Sequence, residues 1–93
     1  MQYKVGMYGG SFDPLHLGHV HDMIRAAAMC EELYIMISWC EGRESTSKEL
    51  RYRWIHNCTK HLPNVRILLI EDIFFVVIVF TCVASSTIFW TFV

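Results

Sequence analysis

No charged residue follows Asp72: Ile73 to Val93 reads IFFVVIVFTCVASSTIFWTFV, and the last lysine or arginine is Arg66. A surplus of either sign is also absent. Eight Lys and Arg stand against nine Asp and Glu, a formal net charge of −1, so long-range attraction for nucleic acid or an anionic membrane is excluded. Any anion must be held locally. Cys30, Cys40, Cys58 and Cys82 form no Cys-x-x-Cys pair and have no histidine at finger spacing. That indicates neither a zinc site nor a disulfide framework, and buried thiols of a cytoplasmic protein are the expected reading. No secretory leader is expected at the start, because Lys4 lies inside a short strand-like run that Gly9 and Gly10 then interrupt. The beginning is read as the start of a domain. At 93 residues there is room for one small domain and not for two.

The hydrophobic pattern predicts an alternating α/β order. Gln2–Tyr8 is a short apolar strand. Val20, Met23, Ile24, Ala27 and Ala28 recur at helical spacing and put one stripe against a sheet, with His21, Asp22 and Arg25 toward solvent or ligand. Leu33–Cys40 is an apolar run of the length of a buried parallel strand. The polar loop Glu41–Ser47 leads to a capping box of Thr46 and Glu49 and a helix over Ser47–Leu62, ended ahead of Pro63. Leu50, Trp54, Ile55, Cys58 and Leu62 are its expected buried stripe, with Lys48, Arg51 and Arg53 at the edge or outside. Val65–Ile70 is a third strand. Strand, helix, strand, helix, strand is one mononucleotide-binding half of a Rossmann-like, doubly wound parallel sheet, and it occupies residues 1–72.

The uncharged tail, residues 73–93, has the length of a membrane-spanning helix. Against that, 11 of its 21 residues are β-branched and no basic residue flanks it. Three readings stand: an end not native to the fold, produced by a changed reading frame; a membrane segment, which would make the protein membrane-associated; and a strand-like segment packed on the sheet.

Chemistry concentrates in residues 9–19, GGSFDPLHLGH. Two glycines let backbone amides approach an anion, and two histidines stand where a helix begins and unpaired amides favour negative charge. Gly9, Gly10, Phe12, Asp13, Pro14, His16, Gly18 and His19 share the spacing of one signature. The stretch resembles the H-x-G-H nucleotidyltransferases of the cytidylyltransferase-like superfamily, most of all the nicotinamide and nicotinate mononucleotide adenylyltransferases. In related pantetheine-phosphate adenylyltransferases threonine usually replaces the first histidine, and in cytidylyltransferases the proline usually differs; His16 and Pro14 fit the mononucleotide branch. Arg51 to Trp54 also resembles the R-x-R-W stretch of bifunctional members that carry a kinase domain. The resemblance covers roughly residues 1 to 72.

It implies transfer of the AMP moiety of ATP to a mononucleotide phosphate, nicotinamide mononucleotide being favoured, with release of pyrophosphate and a place in NAD biosynthesis. His16 and His19 would contact the ATP phosphates, His19 at the α-phosphate. Gly9 and Gly10 would bring the strand end close to the nucleotides, Ser11 and Phe12 would present backbone amides, and Asp13 would fix the loop. Gly18 would keep side chains from between the histidines. Arg43, Lys48 and Arg51 would meet the acceptor phosphate. Mg²⁺ would arrive on ATP, since no carboxylate cluster stands ready to hold it. The family's second signature, S-S/T-x-x-R, finds only a partial echo in Ser85, Ser86 and Thr87, with no arginine behind it. The alternative is therefore an inactive or binding-only nucleotide module, unless a second copy in a homo-oligomer supplies the missing half. His21, His56 and His61 read as exposed helix residues and Trp54 as core; Trp39 is open between packing and lining a pocket.

Overall fold

A computed structural model describes residues 3–74, 77 and 87–92. Its elements are β1 (Tyr3–Gly10), α1 (Leu17–Met29), β2 (Cys30–Trp39), α2 (Lys48–Thr59), β3 (Val65–Glu71) and β4 (Thr87–Phe92). All pairings are parallel, in the order β3-β2-β1-β4. The expected βαβαβ unit is present, and six residues of the tail extend it as a fourth strand beside β1. Most of the tail, with Cys82, Ser85 and Ser86, lies outside the described residues. No described helix is long and apolar enough to cross a membrane.

Strand β2 carries the core because it is central and one of its faces is wholly apolar from Leu33 to Ile37. Leu33, Ile35 and Ile37 alternate onto the face that meets Met23, Ala26 and Ala27 of α1 and Ile55 of α2. Met36 points the other way and is also buried.

Several boundaries and faces differ from expectation for physical reasons. Strand β1 continues through Gly9 and Gly10, which pair with Met36 and Ile37 of β2, so the glycines end the strand instead of forming the turn. Helix α1 runs directly into β2. Its final carbonyls would be orphaned at so abrupt a junction, but the Asn64 side-chain amide donates to Ala27 O at 2.9 Å and Cys30 O at 3.0 Å. Its buried residues are His19, Met23, Ala26 and Ala27, and Ile24 is exposed. The N-cap of α2 is Ser47, not Thr46; Ser47 Oγ accepts from Leu50 N. That helix is also turned by one residue, burying Arg51, Ile55 and Thr59 and exposing Leu50.

Candidate functional site

Strand order reverses at β1: β2 and β3 lie on one side and β4 on the other. Ligands of open parallel sheets bind outside the carboxyl ends of the strands at such a switch point. Here that end is Gly10, in register with Ile37 of β2 and Phe92 of β4. The chain then turns through Ser11, Phe12, Asp13 and Pro14 and enters α1.

Phe12 adopts φ 52°, in the left-handed region that costs a bulky residue energy. Burial offsets that cost. The ring is 2% exposed, 5.7 Å from Tyr8 and edge-on to His19 at 5.1 Å. Phe12 thus serves the site with its side chain as the wall behind His19, beyond the backbone amide expected of it.

His16 is the N-cap of α1. Its Nδ1 accepts from Gly18 N at 3.1 Å, and His19 Nδ1 accepts from His16 N at 3.1 Å, a capping box built from two imidazoles. The rings stack at 3.7 Å between centroids. Since each Nδ1 accepts, each neutral ring carries its proton on Nε2 and donates from that side. Burial, and then the neighbouring His16, hold the His19 imidazolium below its ordinary pKa against the opposing charge of Asp22. His19 is therefore suited to act as a neutral donor. Asp22, one turn further along α1, accepts from Tyr8 Oη at 3.2 Å and from Arg25 at 2.8 Å. Gly18 has a more specific reason than open space: a Cβ there would lie 3.0 Å from His16 Cε1.

Beside the turn opens a cavity of about 380 Å³, lined by Ser11, Asp13, Trp39, Arg43, Glu44 and Arg51 among others. Lys48 Nζ stands 4.3 Å over the Trp39 ring, which settles Trp39 as a cavity residue. Arg43 is exposed and pairs with Asp72 at 3.1 Å. Burial raises the Asp13 carboxyl, but hydrogen bonds from Ser45 and Thr46 and the charge of Arg51 outweigh it and hold the group below its ordinary pKa. Asp13 thus joins the turn to loop 40–47 as an ionised acceptor, with Ser45 N 2.8 Å from Oδ2.

Arg51 differs most from expectation. Its side chain is 1% exposed, not at the helix edge, and donates from Nη1 to Ser11 O at 2.6 Å and Ser38 O at 3.1 Å, while Nη2 pairs with Glu44. Glu44 and Asn64 carry no pattern that singles them out in the sequence; Asp22 does, one turn beyond His19. His21, His56 and His61 are exposed, as expected. Among the described residues no group of three or more His, Cys, Asp or Glu could hold a metal ion.

The chain is similar to phosphopantetheine adenylyltransferases of several bacteria. It is 34% identical over 68 residues to that of Rhodopirellula baltica, covering 72% of this chain and 38% of the relative. It is 33% identical over 73 residues to that of Streptococcus pneumoniae, covering 77% and 45%. It is 40% identical over 63 residues to that of a Synechococcus strain, covering 67% and 38%. The chain thus spans less than half the length of these curated relatives. A family model described as cytidylyltransferase-like matches residues 7–86, reaching past Asp72. With the parallel sheet, the glycine-ended first strand and the paired histidines at its carboxyl end, that match makes the chain a member of the cytidylyltransferase-like family.

Proposed function

We propose that this chain carries the phosphate-binding half of an adenylyltransferase site. An acceptor phosphate oxygen attacks the α-phosphorus of ATP, the bond to the bridging oxygen breaks, and pyrophosphate leaves. The observation that carries this reading is the His16–His19 pair, whose Nδ1 atoms are occupied at the helix start and whose protonated Nε2 atoms can donate. Preorganised donors of this kind favour the oxyanion charge that builds at a phosphoryl centre. The amino end of α1 adds the positive end of its helix dipole. Mg²⁺ bound to ATP would neutralise part of the triphosphate charge and enter as part of the substrate.

Arg43, which lines the cavity, and Lys48, over the ring of the cavity residue Trp39, suit a phosphomonoester on the acceptor. The relatives' names favour phosphopantetheine, whereas His16 and Pro14 suggest nicotinamide mononucleotide. Incubating the chain with ATP, Mg²⁺ and each acceptor in turn, and measuring pyrophosphate, tests the reaction and chooses between them. Release dependent on one acceptor and lost in His19→Ala supports the proposal; acceptor-dependent release indifferent to that substitution defeats it.

A binding-only role is the second reading, favoured by cations already engaged beside the turn, Arg51 with Glu44 and two carbonyls and Arg43 with Asp72. Calorimetric ATP binding that depends on His19, without pyrophosphate release from either acceptor, would establish it.

A further inference from the structure

We infer that Arg51 is a positioning residue: its buried guanidinium, locked between Glu44 and the Ser11 and Ser38 carbonyls, holds loop 40–47 against the turn after β1 without itself touching phosphate. The inference rests on the adenylyltransferase reading of this site.

The acceptors of Arg51 come from three segments: Ser11 follows β1, Ser38 lies near the end of β2, and Glu44 is in the loop. A rigid planar fork suits such a junction, and a lysine ammonium does not reproduce it. A second tie lies beside it, from Ser45 N to Asp13 Oδ2 at 2.8 Å. Loop and turn are therefore joined at consecutive residues, Glu44 and Ser45, and the next residue back is Arg43, the exposed cation at the cavity. Where Arg43 stands depends on those ties. A direct phosphate role for Arg51 would rest on Nε, which is buried without a hydrogen-bond partner, but that role would leave Glu44 as a repulsive neighbour of the anion.

The two roles predict opposite signs for Glu44→Gln. If Arg51 is a phosphate ligand, removing the acid strengthens ATP binding. If it is a positioning residue, the substitution loosens the loop and weakens binding. In the full chain, Glu44→Gln and Arg51→Lys are expected to speed hydrogen exchange of the loop 40–47 amides roughly tenfold, with exchange in β2 unchanged. ATP–Mg²⁺ affinity should fall about tenfold in each, as expected of misplaced binding groups, and the double variant should be little weaker than either single one. Unchanged loop exchange, or tighter ATP binding in Glu44→Gln, would overturn the inference. Glu44 is partly exposed, so Glu44→Gln is the variant to rely on if Arg51→Lys does not fold. Failure of wild type to bind ATP would count against the adenylyltransferase reading alone, because loop exchange decides the tie without nucleotide.

Discussion

His16 and His19 lie face to face, 3.7 Å between ring centroids, and each uses Nδ1 to hold a backbone amide at the start of α1. Capping falls on the Nδ1 atoms, and the proposed anion recognition would fall on the opposite nitrogens of the same rings. One nitrogen caps the helix end and the other is the one the proposal assigns to phosphate, so substitutions can separate the two roles.

His16→Ser is the separating substitution. Serine is a strong N-cap and can accept the Gly18 amide, so stability should stay within about 0.5 kcal/mol of wild type, whereas His16→Ala should cost about 1 kcal/mol. Both lose the Nε2 donor. Urea melts should distinguish the two variants, while ATP titrations should find both weakened about equally. Unimpaired binding in His16→Ser would assign His16 to the helix end alone.

Gly18→Ala should dissociate stability from function in another way. Alanine is favoured over glycine inside a helix by up to about 1 kcal/mol, and the ring it meets belongs to an exposed side chain that can swing aside. The melting temperature should stay near that of wild type, since the alanine gain offsets loss of the His16 cap when the ring moves. Displacing His16 breaks its stack on His19, so ATP affinity should drop. A variant that is both stable and fully competent would show that the stacked arrangement is dispensable.

Asn64→Ala removes two hydrogen bonds from the carbonyls of Ala27 and Cys30. Unpaired buried carbonyls cost about 1 to 3 kcal/mol, and the loss should appear as a lowered urea midpoint. Nucleotide affinity of the folded variant should not change, because Asn64 lies at the opposite ends of the strands from Gly10, close to the start of β2 and β3.

Much of this arrangement was legible in the sequence, because strands rich in apolar residues and helices with one apolar stripe have distinct periods. The βαβαβ order and the position of His16 and His19 at a helix start follow from that. What was not legible is where tertiary pairing overrides hydrophobicity. Burying Leu50 is the hydrophobic choice for α2, yet the helix turns one residue further because Arg51 finds carbonyls on two strand ends and an acid on the loop. No periodicity reveals acceptors supplied by residues 7 to 40 positions away. The side-chain cap of Asn64 is hidden for the same reason, with partners 34 and 37 residues distant.

Stability should show a neutral plateau bounded on both sides by identifiable groups. On the acid side, burial and His16 depress the His19 pKa below 6.5. The unfolded chain then binds a proton that the folded one resists, so stability falls as pH drops below about 6.5 and the loss levels off below the folded value. Asp13, depressed below 3.8 because its hydrogen bonds and Arg51 outweigh burial, adds a second loss at lower pH. On the alkaline side, burial and then Asp22 raise the Tyr8 phenol well above 10.0, so the unfolded chain ionises first and stability declines above that pH. Urea midpoints from about pH 2 to about pH 11 in half-unit steps should trace this profile. His19→Gln should flatten the segment just below pH 6.5 without moving the alkaline limb. A slope there that survives the substitution would assign the acid sensitivity to another group and remove the case for a neutral His19.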